Sequence, residues 1–393
     1  MIVDLTTLVL LISMVTTQDI SNSVYRCPRK CTCEVDGEVT CNKGNLTEIP
    51  IRELAPFVTK LSLSKSDIPF IRRGTFAKLK DLADLNLDDN NISRIEKFAF
   101  KGLGKLHRLS IRKTSLRRLE EFSFSGLQNM TYILLSENRI ETIEGSAFAG
   151  SSNIQIIFLH NNPIHVIESH AFANLRHVEY LILPFGVKSI QQDAFNGLDS
   201  VGLIRLPLMD LESMEPFTFR GLSHVIRLEI RESDLGVVQP RAFEGMVNVT
   251  SLVLLKNKID HLKELRISAE NKIKCLKLEG NHILQIPVPG SVDIQVLENF
   301  IVIDNHFPCD CRLHTLMASP LTNATNSNFT AENFCISPLN VNGKSISDIK
   351  LENLERCSNE YSLDSWNIGV SVRHTAISRY TCFIFMLMLI RCC

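Results

Sequence analysis

Apolar residues recur with a fixed period along most of the chain. Segments 82–103, 130–151 and 154–175 share the pattern L-x-x-L-x-L-x-x-N-x-I-x-x-I followed by a Phe, with occasional apolar replacements. The first apolar residue of the pattern recurs at Val58, Leu82, Leu106, Met130, Ile154, Val178, Val201, Val225, Val249, Ile273 and Leu297. The spacing is 24 residues except between Val178 and Val201, where it is 23. Such a period predicts a solenoid, because no single repeat can bury its own apolar side.

Each L-x-L segment predicts a short strand with two side chains facing inward. Parallel strands from successive repeats would lie about 4.8 Å apart, and eleven of them would form a wall roughly 50 Å long. Turn asparagines are expected to satisfy backbone groups where the strands end, at Asn90, Asn138, Asn162, Asn257, Asn281 and Asn305. A Phe from each repeat is expected to stack inside, at Phe76, Phe100, Phe124, Phe148, Phe172, Phe195, Phe219 and Phe243.

This pattern resembles the extracellular leucine-rich repeat as it occurs in Slit, Toll-type receptor ectodomains, connectin-like adhesion proteins and the Nogo receptor. The resemblance implies an α/β solenoid, a horseshoe with a parallel β-sheet on its concave face and a disulfide-bonded cap at each end. We expect a signal peptide at 1–23, an N-terminal cap at 27–57, ten repeats plus a capping repeat at 58–304, and a C-terminal cap at 305–357. The family commonly has a Trp two residues after the last turn Asn, and Phe307 replaces it here.

Eight of the twelve cysteines flank the repeats, four on each side. Four cysteines allow three pairings, and spacing alone does not choose among them. The resemblance implies the pairs Cys27–Cys33, Cys31–Cys41, Cys309–Cys335 and Cys311–Cys357. A four-cysteine zinc site is the alternative, which an oxidising compartment disfavours. Cys275 is left over at an outward strand position, and we expect a free thiol there, with an intermolecular disulfide as the alternative.

Both ends of the chain indicate the secretory pathway. An apolar stretch at 5–15 is typical of a signal peptide, with cleavage near 17–23. Six N-glycosylation sequons follow, at Asn45, Asn91, Asn129, Asn248, Asn323 and Asn328. The spacer at 358–379 and hydrophobic tail at 380–393 resemble a signal for a glycosylphosphatidylinositol anchor, with Gly369 or Asn367 as attachment site. A short or acylated membrane segment and free secretion are the alternatives. We therefore expect the chain at the extracellular face of the plasma membrane or secreted.

Composition and motifs favour binding over catalysis. The formal net charge of −1 gives no indication of a nucleic-acid partner. The chain lacks the common nucleotide-binding, metalloprotease and hydrolase motifs, so we expect no enzyme, cofactor or metal. Asp84, Asn86 and Asp88 alternate as in a calcium loop but lack its Gly and closing Glu. We expect instead a self-paired surface ladder, in which Asp84 lies between Lys60 and Arg108, and Asp88 meets Arg112.

The middle repeats carry apolar residues at positions predicted to face outward. The predicted partner-binding residues are Tyr132, Leu134, Ile156, Phe158, His160, Tyr180, Ile182, Phe185, Leu203, Arg205 and Leu208. Pro184 is expected to be exposed with them, beside the short repeat in which Gly186 replaces the turn Asn. Arg227, Glu229, Arg231 and Glu232 are expected to form a charged rim. A contiguous apolar group of this kind usually marks an interaction site. We expect cell-surface recognition or adhesion through a protein ligand or co-receptor, or self-association as a homodimer. The alternative is a soluble secreted regulator, a matrix component or an innate-immune recognition protein.

Overall fold

The computed structural model of the protein describes residues 27–42, 46–294, 297–324 and 328–355. Within them the chain divides into two compact units, which take their residues from 1–185 with 194–200 and from 186–193 with 201–393. Among these described residues, no helix has the length and apolar character needed to cross a membrane. The predicted signal peptide, spacer and hydrophobic tail, with Asn367 and Gly369, lie outside the described residues.

The first unit consists of short strands. In chain order they are β1 (Thr32–Cys33), β2 (Glu38–Thr40), β3 (Lys60–Ser62), β4 (Phe70–Ile71), β5 (Asp84–Asn86), β6 (Arg94–Ile95), β7 (Arg108–Ser110), β8 (Arg118–Leu119), β9 (Tyr132–Leu134), β10 (Thr142–Ile143), β11 (Ile156–Phe158), β12 (Val166–Ile167) and β13 (Arg176–Ile182).

The second unit continues with longer strands and a few short helices. Its strands are β14 (Ser189–Ile190), β15 (Asp199–Pro207), β16 (Ser213–Met214), β17 (Ser223–Arg231), β18 (Val237–Val238), β19 (Val247–Leu255), β20 (Lys258–Ile259), β21 (His261–Leu262), β22 (Leu265–Ile267), β23 (Cys275–Glu279), β24 (His282–Ile283), β25 (Val292–Ile294), β26 (Asn299–Ile303), β27 (His306–Pro308) and β28 (Phe334–Ser337). The α-helices are α1 (Leu313–Met317) and α2 (Phe329–Glu332). The 3-10 helices are Ala269–Asn271, Pro320–Thr322, Ile346–Asp348 and Leu351–Asn353.

The strands of the first unit pair in exact repeat register. After the antiparallel pair β1 and β2, the strands β3, β5, β7, β9, β11 and β13 follow one another in parallel. Lys60 pairs with Asp84, Asp84 with Arg108, and Arg108 with Tyr132, so each partner lies 24 residues further on. Equivalent positions of successive repeats therefore lie side by side, as the sequence predicts. We call the solvent side of the main parallel sheet in each unit the strand face.

The second unit repeats this arrangement with longer strands. Its main sheet has the order β15, β17, β19, β23 and β26. The strands β15, β17 and β19 each have nine residues, whereas β3 to β11 in the main sheet have three. The pairing of β17 with β19 extends from Ser223 opposite Val247 to Arg231 opposite Leu255. The period predicts where these strands run but not this extension towards their amino ends.

Phenylalanines form the core behind the sheets, as predicted. In the first unit, Phe76, Phe100, Phe124, Phe148, Phe172 and Phe195 are fully buried, with successive ring centroids 5.4–6.2 Å apart. In the second unit, Phe219 stacks on Phe243 at 5.7 Å. The series ends there, and the parallel strands β22 and β25 pair further along the unit.

Buried asparagines close the turns after the main strands. In the first unit, Asn138 donates from Nδ2 to the carbonyls of Ile111 and Leu135, at 2.6 and 2.9 Å. In the second unit, Asn257, Asn281 and Asn305 form a continuous amide ladder. Asn333, from the C-terminal cap, extends the ladder by one residue, which the repeat pattern did not predict. Each of these side chains hydrogen-bonds to backbone groups that have no strand partner where the main strand ends.

Each cap contains disulfides within itself. The described residues contain Cys27–Cys33, Cys31–Cys41 and Cys309–Cys335, the pairs that the resemblance implies. Cys311 is disulfide-bonded, and because Cys357 lies outside the described residues, their pairing stays a prediction. Phe307 is fully buried against Phe329 at the end of the core.

The expected free thiol at Cys275 is wrong. Cys275 begins β23 between Ser251 and Asn299, at a position that faces outward in the repeat pattern. It is nevertheless only 3% exposed and is disulfide-bonded. The repeat period identifies the strand position but carries no information about a covalent bond that lies outside the period.

Candidate protein-binding face

Six apolar residues form a compact group on the strand face of the first unit. We call Tyr132, Leu134, Ile156, Phe158, Tyr180 and Ile182 the apolar block. Ile156 lies between Tyr132 and Tyr180, and Phe158 lies between Leu134 and Ile182, on three adjacent strands. Tyr132 is 37% exposed, and the other five side chains are half-buried. The block therefore offers a contiguous apolar surface, as the sequence predicts.

Polar groups adjoin this block. His160 follows β11 and meets the ring of Phe158 edge-on at 6.1 Å between centroids. Burial lowers the pKa of His160 below 6.5, although Glu137 opposes the shift. The phenol of Tyr180 is hydrogen-bonded to Glu179, which raises the pKa of Tyr180. A neutral imidazole and a tethered phenol can both exchange hydrogen bonds with a ligand at the edge of an apolar contact.

The two residues after β13 differ in exposure. Phe185 is 57% exposed, as predicted, and belongs to the accessible surface of the first unit. Pro184 was expected to be exposed beside it, but this is wrong, because Pro184 is buried. The chain turns at this point, and Gly186 at the start of the second unit has a φ of 84°. The turn changes the direction of the side chains, so the simple alternation along the strand fails there.

The charged ladder beside the apolar block is only partly self-paired. Asp88 binds Arg112 through two guanidinium nitrogens, at 2.9 and 2.7 Å, and accepts a 2.7 Å hydrogen bond from Ser110. This pair is the one predicted. Lys60, however, pairs with Glu38 of the N-terminal cap at 3.3 Å rather than with Asp84. Burial raises the pKa of Asp84, against the opposing charges of Arg108 and Lys60.

Three predicted partner-binding residues lie in the second unit. Leu203 and Arg205 are half-buried on β15, and Leu208 just beyond the strand is 50% exposed. Arg205 donates from Nε to Oε1 of Glu229 at 2.9 Å. Its guanidinium is therefore part of a charged arrangement with β17.

This arrangement is the feature that the sequence prediction missed. Glu229 lies on β17 and is 3% exposed. Its carboxylate also accepts from Nε of Arg227 at 3.1 Å and lies 3.6 Å from Nη1 of Arg231. We call Arg205, Arg227 and Arg231 around Glu229 the arginine cluster. The signal was the outward alternation Arg-x-Glu-x-Arg in β17 with Arg205 24 residues before Glu229. The sequence alone indicated a rim of surface charges, because it does not show that Glu229 is buried.

The sequons fall beside the strand-face positions. Asn91, Asn129, Asn323 and Asn328 are exposed, Asn248 is half-buried, and Asn45 lies outside the described residues. Asn248 lies within β19 because that strand is longer than predicted, next to His224 at 3.1 Å. The outward strand-face positions of β19 are Ser251, Val253 and Leu255, so Asn248 occupies none of them.

Two further features were not predicted. In the N-terminal cap, the carboxylates of Glu34, Asp36 and Glu38 lie within 4.8 Å of one another. Within the described ranges, this is the one group of three His, Cys, Asp or Glu side chains close enough together to hold a metal ion. All three are at least partly exposed, and Glu38 is paired with Lys60. In the second unit, a cleft of about 430 Å³ is lined by residues of both charges, among them Arg241, Glu264 and Arg266.

In-register parallel strands with a Leu, Phe and Asn interior define a leucine-rich-repeat protein. The repeats match the BspA type leucine-rich repeat region in six copies, over residues 57–174 and 158–274. These ranges cover more than half of the chain, which therefore belongs to this family.

No curated protein matches the sequence. Among solved structures, the chain is similar to human 5T4 (Wnt-activated inhibitory factor 1, trophoblast glycoprotein), with 19% identity and a TM-score of 0.42. The match covers 84% of this chain and 100% of that one.

Proposed function

We propose that this protein is an extracellular recognition protein that binds a protein ligand through the strand face of its first unit. The observation that carries the proposal is the apolar block, six side chains in register on three adjacent strands. Aromatic side chains dominate the energetics of many protein interfaces, and this block contributes Tyr132, Phe158 and Tyr180. The role we favour is cell-surface recognition or adhesion.

The compartment rests on the disulfides. Three disulfides in the described residues are typical of an oxidising compartment, the secretory pathway or the extracellular space. Glycans at the predicted sequons would leave the block accessible, because Asn91 and Asn129 lie beside the strands and not on their outward positions. Attachment to the membrane through the tail is part of the proposal. Release of the chain from intact cells by a phosphatidylinositol-specific phospholipase would support it, and a chain found only in the medium would contradict it.

The binding experiment replaces the centre and one edge of the apolar block. Phe158→Glu combined with Ile182→Glu puts two charges on the surface that a partner would desolvate, so binding should be abolished. A matched control is Leu284→Glu with Val288→Glu, two apolar residues of the second unit that are 36% and 40% exposed. The full chain would serve as bait on extracellular proteins, and a captured protein would be purified and titrated against each variant.

The expected result is a partner that binds the wild-type chain and the control equally and does not bind the block variant. Secretion and the far-ultraviolet circular dichroism spectrum should be the same for all three chains. A partner that binds the block variant with unchanged affinity would refute the proposal.

Self-association is the second candidate, because a two-fold pair would cover the same block on both copies. Sedimentation equilibrium of the purified chain distinguishes the two cases. A dimer that dissociates in the block variant but not in the control would assign the block to a second copy of this chain. A monomer at every concentration tested would leave a different protein as the ligand.

A further inference from the structure

The arginine cluster of the second unit is held in place by a carboxylate beneath it. Glu229 is 3% exposed, whereas the side chains of Arg205, Arg227 and Arg231 are each about one-third exposed. Arg205 and Arg227 both use Nε to bind Glu229, at 2.9 and 3.1 Å. Two guanidinium groups that are fixed through Nε keep their Nη atoms for other acceptors. Among the described residues, Arg205 and Arg227 make no hydrogen bond from Nη to a protein atom.

The cluster also carries an excess of positive charge. Arg205 and Arg227 share one carboxylate, Glu229, so this pair carries more positive than negative charge. The neighbouring strand β19 contributes uncharged residues, with Ser251 opposite Arg227, Val253 opposite Glu229 and Leu255 opposite Arg231, of which Val253 is only 1% exposed. On the other side, β15 presents Leu203 next to Arg205 in the outward series. The remaining positive charge therefore lies beside the uncharged strand β19, and the charged residues of the strand after it, Lys277 and Glu279, pair with each other.

We propose that the arginine cluster binds a carboxylate of the protein partner, presented by a segment in which an acidic residue is flanked by apolar ones. This inference rests on the proposed function, since it names the chemistry of the partner. A guanidinium presents its N–H groups in a planar fork that matches a carboxylate in two parallel hydrogen bonds. Because Glu229 already orients the arginines, less side-chain entropy is lost when the ligand binds.

A protein carboxylate fits better than a sulfated polysaccharide. A polyanionic chain is attracted by an extended stretch of basic side chains, whereas this cluster is compact and keeps a single excess charge. The half-buried side chains of Leu203 and Leu255 beside the cluster favour a partner that also supplies apolar contacts. Complementary charges in such a setting set the specificity and register of a protein interface.

The test uses the full chain and two probes. A random dodecapeptide library is selected on the wild-type chain, and the selected peptides are synthesised and titrated by fluorescence anisotropy. A heparin column is the second probe and reports a polysaccharide site. The test variant combines R205Q, R227Q and E229Q, which removes two of the three arginines together with Glu229, so that Glu229 is not left as an unpaired buried charge. The control combines R117Q, R118Q and E141Q, which removes the same charges from an exposed ion-paired site in the first unit.

We expect selected peptides with an Asp or Glu between apolar residues. Their binding to the test variant should be about thirtyfold weaker or more, and their binding to the control unchanged. A lysine variant, R205K with R227K, keeps the charge but loses the planar fork and should weaken binding to an intermediate degree. Thermal unfolding followed by circular dichroism checks that each variant is folded.

Three results would overturn the inference. The first is a set of selected peptides without acidic residues. The second is equal affinity of acidic peptides for the wild type and the test variant. The third is retention on heparin that the test variant loses, while no acidic peptide is selected. If the selected peptides are not acidic and do not bind the chain that carries Phe158→Glu with Ile182→Glu, the proposed function is supported and the carboxylate site is refuted. If the selected peptides bind every variant alike, both proposals fall.

Discussion

The buried amide ladder of the second unit allows a prediction whose size follows from individual hydrogen bonds. Asn281 is fully buried, and Nδ2 donates to the carbonyl of Leu254 and to Oδ1 of Asn305, both at 2.9 Å. Oδ1 accepts from the backbone N–H of Asn257 at 2.9 Å and from its side-chain amide at 3.1 Å. The substitution Asn281→Ala removes all four bonds at once.

The loss of stability can be estimated from the groups that remain. The side-chain amide of Asn257 still reaches the carbonyl of Ile230, and Oδ1 of Asn305 still accepts from the backbone of residue 281. The backbone N–H of Asn257 and the carbonyl of Leu254 lose these partners inside the protein. A buried polar group without a partner costs about 1–3 kcal/mol, so the two together should lower the free energy of unfolding by about 4 kcal/mol.

The chain itself provides a comparison for a smaller change. Ser233 occupies the same position of an earlier repeat, and its Oγ accepts from the backbone N–H of Met209 at 3.0 Å. Asn281→Ser should therefore keep an acceptor for the backbone of Asn257 and lose only about half as much stability as the alanine variant. Asn342→Ala is the control, since Asn342 is exposed, and it should change stability by less than about 0.5 kcal/mol.

Urea denaturation of the purified variants, followed by far-ultraviolet circular dichroism, measures these differences. The reasoning would be refuted by a loss below about 1 kcal/mol for Asn281→Ala. It would equally be refuted if the serine and alanine variants were destabilised to the same degree, because the difference between them isolates the retained acceptor.

Three further predictions concern the core, the C-terminal region and its disulfide. Phe148 stacks between two other rings, so Phe148→Ala should lower the free energy of unfolding by about 3–5 kcal/mol in urea denaturation, and a loss below 1 kcal/mol would contradict it. Burial lowers the pKa of His282 and His306 below 6.5, so the unfolded state binds more protons just below that pH. Stability should consequently fall as the pH drops below about 6.5, and His282→Gln with His306→Gln should reduce the slope, whereas an unchanged slope would refute this cause. Replacement of Cys309 and Cys335 by Ser opens a link across 26 residues and should cost about 3 kcal/mol, measured under non-reducing conditions, and an unchanged urea midpoint would be inconsistent with it.

The candidate site divides into a part that could be predicted and a part that could not. The apolar block follows directly from the period, because residues 24 apart lie side by side on a parallel sheet. The arginine cluster also obeys the period, since Arg205 and Glu229 are 24 residues apart. The burial of Glu229 does not follow from the period, because it depends on the side-chain conformations of three arginines from two strands. Sequence reasoning placed these residues correctly but read them as a solvated rim.

The sequence prediction also failed where residues make contacts that do not follow the repeat period. Lys60 pairs with Glu38, which belongs to the cap and not to a repeat. Asn333, the residue that follows α2, hydrogen-bonds to the amide ladder from outside the repeats. Pro184 is buried at an irregular turn, and the period does not describe that backbone path.

The sequence by itself determined the strand register, the Leu and Phe core, and the turn asparagines, because each depends only on a residue's position within a repeat. The tertiary structure decided which polar side chains meet and which are buried. Glu229 beneath three arginines, and Cys275 in a disulfide at an outward position, are the clearest cases. The physical reason is that a repeat fixes the backbone neighbours of each residue, whereas hydrogen bonds and disulfides depend on side-chain conformation and on segments outside the repeats.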